Sequence, residues 1–331
     1  MNKTFYIVLF IFVSAFSKAQ TNLIYNGDFE LYDTCPVQIS QPGDYQIETC
    51  SGWYVPTIAT SDYFNVCAPA ASVGVPANGF GYQVPYSGNA YCGVLLEHTE
   101  PPFALSSEWW VEYIQSKLVF PLKAGYEYEF SCQVVLSTND WDYAFSRFGA
   151  YFSSTAISRP DGEPFSALVP QIMNAANNFI TDTLNWTEIT GKFIAHGGEE
   201  YITLGFFTDT LNPDTLKLIN GLGINYNYYG SYYFIDAASL SETGKVLEYP
   251  NFFSPNGDNQ NDDWKPLIEE GEIIEIYNRW GTKIFELSAI DQSWDGRTSA
   301  GEECTDGVYY FIARIKEEEE RIKKGFIQLV R

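Results

Sequence analysis

Histidine is almost missing from this 331-residue chain, with two copies, and methionine is as scarce. Few histidines means few of the usual general bases and of the commonest metal ligands, so composition alone speaks against a histidine-based hydrolase or zinc enzyme. Basic side chains are also few: 19 Lys+Arg stand against 42 Asp+Glu, a formal net charge of -23. A surface of that sign repels nucleic-acid phosphates and anionic lipid, which argues against both as partners. Long apolar runs are absent after the first residues, so the mature chain is expected to carry no transmembrane helix. In contrast, aromatics are plentiful. With 24 Tyr, 24 Phe and 8 Trp and only 18% charged residues, most of the chain is expected to fold.

The first residues read as a secretory leader. Met1-Asn2-Lys3 is followed by an apolar run from Phe5 to Val13 that extends through Ala15 and Phe16, then by Ser17-Lys18-Ala19. A positive start, a short apolar centre and small residues before the cleavage point define a signal peptide over residues 1–19. The run is too short for a permanent membrane span. No Cys stands immediately after Ala19, so no lipid anchor is expected. Cleavage removes Lys3 and Lys18 and no acid, leaving 17 basic against 42 acidic side chains, a net -25.

All six Cys follow the leader: Cys35, Cys50, Cys67, Cys92, Cys132 and Cys304. An oxidising destination permits disulfides. Zinc is the weaker reading, because no Cys pair has short-loop ligand spacing and His98 and His196 stand alone. Cys35 and Cys67 bracket a compact, loop-rich segment and are the expected bridge. Cys50, Cys92 and Cys132 offer a second one, and Cys304 is free or pairs across domains.

From Asn22 to about Ser241 short runs of alternating apolar and polar residues are separated by Gly, Pro, Asn and Asp, the pattern of a β-sandwich or jelly roll. One helical piece is expected over Ser106 to Ser116, where Trp109, Trp110, Tyr113 and Ile114 fall at helical spacing. Another short helix is expected within the polar stretch from Ser158 to Asn185. Ser241 to Lys245 interrupts the pattern and reads as a linker. The expected domains are therefore 20–243 and 248–331, the second a smaller immunoglobulin-like sandwich with strands at Ile273 to Tyr277, Lys283 to Leu287, Gly307 to Ile315 and Gly325 to Val330. Gly281 stands where a tight hairpin between the first two needs positive φ. Glu317 to Glu320, with Arg321, Lys323 and Lys324, reads as a solvated hairpin tip.

The last unit resembles the gliding-motility-associated C-terminal domain of Bacteroidetes, the type B sorting domain of the type IX secretion system. The resemblance rests on Tyr249 to Asp262, Ile276 to Gly281, Trp294-Asp295-Gly296, Asp306 to Tyr310 and Gly325 to Arg331, and it covers about a quarter of the chain. It implies engagement of the type IX machinery, passage through the outer membrane, and display on the cell surface or release. Asn259-Gln260 departs from the family, which usually has Gly after the Asp. The motif residues carried over are Asn256, Gly257, Asp258, Asn261, Asp262, Trp280, Gly281, Trp294, Asp295, Gly296, Asp306 and Gly307. Physically, Asn256, Asp258, Asn261 and Asp262 suit side-chain-closed turns, with a hard cation as the alternative. Trp294-Asp295-Gly296 suits a packed Trp beside such a turn, and Trp280 is expected to cover the sandwich edge, with partner docking as the alternative.

The first domain resembles galactose-binding-like jelly rolls of carbohydrate-binding modules through Asn22 to Glu30 and Tyr232 to Leu240. Cys35-Pro36, Gly52-Trp53, Ser61 to Asn65, Gly81 to Gln83 and Ser87 to Tyr91 are similar to the amino-terminal domain often joined to this sorting signal. In the modules acidic groups on the paired first and last strands hold a structural calcium. The resemblance makes Glu30 and Asp236 its carboxylate ligands here, although Ala237 replaces a frequent second Asp. Hydrogen-bonded turn carboxylates are the alternative, and no other cofactor is expected.

Sugars present apolar faces edged with hydroxyls, so exposed rings beside polar groups are the ligand candidates. Trp110, and Asp140, Trp141 and Tyr143 between two strands, fit best; Asn225 to Tyr229 has the same character. Nothing signals a nucleophile with its base or a facing carboxylate pair, so no catalysis is expected. The expected protein is an exported all-β surface protein that binds a glycan or mediates adhesion. The alternative is a structural or protein-binding component of the cell-surface or gliding machinery.

Overall fold

The computed structural model describes residues 21–99, 108–138, 143–207, 214–218, 228–245, 249–257, 261–266, 268, 271–290, 292–315 and 322–331. The leader lies outside them, as does the charged run 317–321. The chain divides into two compact units, Met1–Gly244 and Lys245–Arg331.

In the first unit the strands are β1 (Trp53–Tyr54), β2 (Asp62–Asn65), β3 (Ala77–Asn78), β4 (Gly81–Tyr82), β5 (Ala90–Thr99), β6 (Glu108–Val111), β7 (Tyr113–Lys117), β8 (Tyr126–Leu136), β9 (Tyr143–Phe145), β10 (Phe148–Ser153), β11 (Ile172–Met173), β12 (Thr187–Ile194), β13 (Tyr201–Phe206), β14 (Thr215–Lys217) and β15 (Tyr228–Lys245). Eleven of them build two sheets, β1-β7-β13-β10-β11 and β12-β8-β15-β5-β2, with β6 also beside β5, while β3 with β4 and β9 with β14 form two-stranded ribbons. One core joins them: Ile114, Phe148, Ile202 and Leu204 from the first sheet pack with Val94, Phe130, Tyr233 and Ile235 from the second. This is the all-β sandwich that the alternation announced. On β12 the period of two is visible, with Ile189 and Phe193 buried and Glu188, Thr190 and Lys192 exposed. Central strands β5 and β15 are apolar on both faces because a second cluster, including Phe64, Tyr91, Val135, Tyr232 and Phe234, covers the outer side of their sheet.

The helix expected over Ser106 to Ser116 is instead two strands, β6 and β7, with Glu112 between them. β6 pairs with β5 in the second sheet and β7 with β1 and β13 in the first, so the chain crosses between sheets at this residue. Trp109, Val111, Tyr113 and Ile114 are all buried by that crossing, which mimics helical spacing in the sequence. The stretch from Ser158 to Asn185 likewise holds β11 and turns rather than a helix. Ser241 to Lys245 is the end of β15, held by Thr243 Oγ1 donating to the Glu127 carbonyl at 3.1 Å and by the Lys123–Glu242 ion pair at 3.0 Å, rather than a linker.

The second unit contains β16 (Phe252–Phe253), β17 (Glu272–Tyr277), β18 (Lys283–Leu287), β19 (Gly307–Ile315) and β20 (Ile322–Leu329). They form one sheet in the order β16-β20-β19-β17-β18, with β16 parallel to β20. Ile274, Ile276, Phe311, Ile327 and Leu329 line its inner face against Trp264 and Trp294, both fully buried and bridged to each other through their backbones. Beside Trp294, Asp295 Oδ1 accepts the Arg297 N–H at 3.0 Å and closes the turn. Gly281 turns the β17–β18 hairpin at φ 78°. Trp280 does not cover the sheet edge: it is 78% exposed at the hairpin tip, with the Arg279 guanidinium 5.3 Å from its ring centre.

Candidate functional site

The first and last segments of the first unit lie side by side. Leu23 N–H donates to the Leu240 carbonyl and Ala238 N–H to that of Gly27, both at 2.8 Å, while Asn22 stitches the two with its amide at 2.9 Å to Ala238 O. Their seam opens as a cleft of about 540 Å³ lined by Tyr25, Asp28, Glu30, Leu31 and Val119 among others, with no basic side chain among the described residues of its wall. Asn26, Phe29 and Ala237, at or beside the cleft, hold left-handed φ values of 50°, 59° and 51°. Backbone strain of this kind needs strong surrounding restraint and collects at sites of function. Tyr25 is 44% exposed and backed by Gly52, where a Cβ would lie 2.5 Å from the ring. One face of the phenol is therefore supported from behind.

Glu30 and Asp236 clamp the adjoining turn. Asp236 accepts the N–H groups of Tyr86 at 2.8 Å, Ser87 at 3.0 Å and Ala237 at 2.6 Å. Glu30 accepts those of Asn89 at 2.7 Å and Ala90 at 3.0 Å, with the Asn89 side chain at 3.3 Å. Burial raises the Asp236 carboxyl to about 7 against these hydrogen bonds, and the Glu30 charge pushes the same way. The two acids thus accept five backbone N–H groups between them, and among the described residues no group of three His, Cys, Asp or Glu comes together. Gly88, at φ 61°, sits where a Cβ would lie 2.3 Å from the Glu30 carboxylate. Gly88→Ala is therefore expected to destabilise the first unit by about 1–3 kcal/mol, read as a lower urea midpoint. An unchanged midpoint would show that the clamp is dispensable.

Beyond the turn the surface becomes aromatic. Tyr82, Val84 and Tyr86 are 58%, 55% and 54% exposed, and Leu184 is 77% exposed. Trp186 is half-buried, its indole N–H donating to the Val84 carbonyl at 3.0 Å and its ring edge-on to Tyr86 at 6.5 Å and Tyr91 at 6.1 Å. Asp182 and Asn185 lie next to it, Asp182 accepting the N–H groups of Leu184 and Asn185 at 2.8 Å. Cleft, clamp and ledge are contiguous: Glu30 belongs to the first two, and Tyr86 to the last two.

Of the ligand candidates from the sequence, Asp140 and Trp141 lie outside the described residues. Trp110 is half-buried against Gly162, its indole N–H 3.4 Å from Glu112 Oε1, and Tyr143 packs on the core. The ledge residues carried no comparable signal, because an exposed Tyr-x-Val-x-Tyr run reads the same as a half-buried strand. In the sorting motifs Asp262 Oδ1 accepts the Gly257 N–H at 2.7 Å, Asp306 pairs with Arg331 at 3.3 Å, and Asp258 lies outside the described residues.

Reasoning from sequence also missed a buried acid pair. Asp62 accepts the Ser40 N–H at 2.7 Å and the Tyr232 hydroxyl at 2.7 Å. Glu112 accepts from Leu95 N at 2.8 Å, Thr60 N at 3.1 Å and Thr60 Oγ1 at 2.9 Å. β2 and β6 occupy the same edge of β5, at 90–93 and 96–99, and Glu112 supplies the acceptor that the gap between them lacks. Burial drives both carboxyls upward, and the Asp62 charge pushes Glu112 the same way. Their chemistry is sheet closure, not an open site.

The frame defines an all-β sandwich protein with a separate C-terminal unit. Residues 247–329 match the family described as CHU_C Type IX secretion signal domain. That domain marks the protein for export through the outer membrane to the cell surface or the medium, and no helix among the described residues is long and apolar enough to cross a membrane. No curated protein matches the chain. Similar solved structures include the K1 cleaved adhesin domain of Lys-gingipain from Porphyromonas gingivalis, at 13% identity and TM-score 0.30, covering 59% of this chain and 92% of that one. They also include a putative sugar binding protein from Bacteroides thetaiotaomicron, at 10% identity and TM-score 0.29, covering 67% and 100%. A third is the CBM22-1-GH10 part of Clostridium thermocellum xylanase 10B complexed with xylohexaose, at 13% identity and TM-score 0.29, covering 67% and 33%.

Proposed function

We propose that the exported protein is a glycan-binding adhesin that takes a neutral polysaccharide along the ledge of Tyr82, Tyr86 and Trp186 toward the Tyr25 cleft. The observation that carries the reading is this ledge, with Tyr82 and Tyr86 exposed and Trp186 half-buried, beside an acidic cleft with no basic side chain among the described residues of its wall. Rings offer stacking faces to sugar C–H groups, and Asp28, Asp182 and Asn185 offer hydroxyl partners. A net charge of -23 disfavours anionic polymers. Trp141 is a further proposed contact, and calcium at Glu30 and Asp236 is retained as a proposal to be tested in the same assay.

The test is affinity electrophoresis of the full exported chain through gels containing neutral or acidic polysaccharides, with calcium or with chelator. Retardation on a neutral polymer is expected, weakened by roughly threefold to tenfold in Tyr86→Ala and Trp186→Ala, as loss of one stacked ring implies. Free migration through every neutral polymer would overturn the reading. The exposed Trp280 favours a second one, in which the hairpin tip of the sorting unit docks on a protein of the cell-surface or gliding machinery. Co-purification of such a partner that is lost in Trp280→Ala, without sugar binding, would support it.

A further inference from the structure

We infer that Cys50 and Cys92 form a second disulfide in the exported protein, interleaved with the bridge between Cys35 and Cys67. The latter pair is joined in the structure, with 5.8 Å between Cα atoms. Cys50 and Cys92 are fully buried thiols, and their sulfurs lie within hydrogen-bonding reach of each other. Independent contacts place them together. Tyr63 stands opposite Cys92 in the β2–β5 register, and its hydroxyl donates to the Phe29 carbonyl at 2.8 Å. Cys50 Sγ approaches the same carbonyl at 3.9 Å, while the Asn26 amide holds that sulfur at 3.3 Å. Cys132 and Cys304 remain thiols, Cys132 standing opposite Ile189 on β8 and Cys304 belonging to the other unit.

The fold has a use for this bond. Between Asn22 and Thr60 the regular structure is one 3-10 turn, Gln46–Thr49, and the two-residue β1. So little ladder hydrogen bonding leaves the segment dependent on other fastenings. Cys35–Cys67 ties its middle to the residues after β2. A Cys50–Cys92 bond ties its second half to β5, which lies inside its sheet between β15 and the β2/β6 edge. The destination outside the cytoplasm is oxidising. Closure breaks both S–H bonds and forms one S–S bond; two electrons and two protons pass to the disulfide of an exported dithiol oxidase, which leaves as the dithiol.

The test starts from protein recovered from the cell surface or medium without reductant, denatured, treated with iodoacetamide and weighed intact. Two alkyl groups are expected, on Cys132 and Cys304, together with a cross-linked Cys50–Cys92 peptide after proteolysis. Cys92→Ser should add one alkyl group, on Cys50. Four alkyl groups with Cys35–Cys67 intact and Cys50 and Cys92 both labelled would overturn the inference. Should all six Cys be labelled, the folded protein is held in glutathione redox buffer until Cys35–Cys67 closes; Cys50 and Cys92 still alkylated at that point would overturn it equally.

Discussion

Deletion of Tyr249 to Arg331 should trap the protein in the periplasm, with extracellular yield falling at least about tenfold, since such signals are addresses read by a receptor rather than anchors. The truncation removes the matched segment while leaving the first unit's own core, sheets and Cys35–Cys67 bridge complete. Loss of export and loss of folding are therefore separable by measuring periplasmic and extracellular protein together. Two point variants divide the cause further. Trp294 is fully buried, its indole N–H donating to the Arg297 carbonyl at 2.6 Å, so Trp294→Ala should cost about 3–5 kcal/mol and unfold the sorting unit with the same loss of export. Trp280 is exposed and holds no core position, so Trp280→Ala should leave the unit folded and report on recognition alone. Unchanged extracellular yield of the truncated chain would sink the sorting assignment.

What could be read from the sequence tracks how local its cause is. The five sorting motifs are turn chemistry, a packed Trp and a hairpin Gly within a few residues of each other, and Asp295, Gly281 and Trp294 take the positions that their neighbours dictate. Strand alternation on β12 and β17 is equally local. Glu112 shows where local reading ends. Nothing within ten residues says that the chain changes sheets there, so Trp109, Val111, Tyr113 and Ile114 look like one helical face when two sheets bury them from opposite sides. The same holds for Ser241 to Lys245, polar in sequence yet strand because Glu127 of β8 and Lys123 just before it lie alongside. Glu30 and Asp236 were legible as an acidic pair for calcium or for hydrogen-bonded turns, but which amides they hold was not. Apart from the Ala237 N–H beside Asp236, the donors come from Tyr86 to Ala90, distant from both in sequence.

Raising the pH from about 6 to about 8.5 is expected to lower the thermal midpoint of the first unit by about 5–10 °C, a loss of a few kcal/mol in a unit of this size. The cause is the set of acids that folding buries. Desolvation lifts Asp62 from 3.8 to about 7, Glu112 from 4.5 to about 8 and Asp236 from 3.8 to about 7. Each folded-state value lies above the unfolded one, so between them the folded chain binds more protons than the unfolded chain. Stability from these groups is fully present below about pH 4 and is lost as pH climbs through 7 to 8, at about 1.4 kcal/mol per pH unit for each group in its window. This is opposite to the usual salt-bridged carboxylate, and the two histidines are too few to mask it. Glu112→Gln keeps one acceptor for Leu95 or Thr60 and cannot ionise, so it should flatten the upper part of the profile. Glu112→Ala leaves both N–H groups without an acceptor in a buried gap, at about 1–3 kcal/mol each, and should lower the midpoint at every pH. A midpoint that stays level or rises from pH 6 to 8.5 would mean that Asp62, Glu112 and Asp236 fold as carboxylates, held by Ser40, Tyr232, Thr60, Leu95 and the 86–90 turn strongly enough to offset burial.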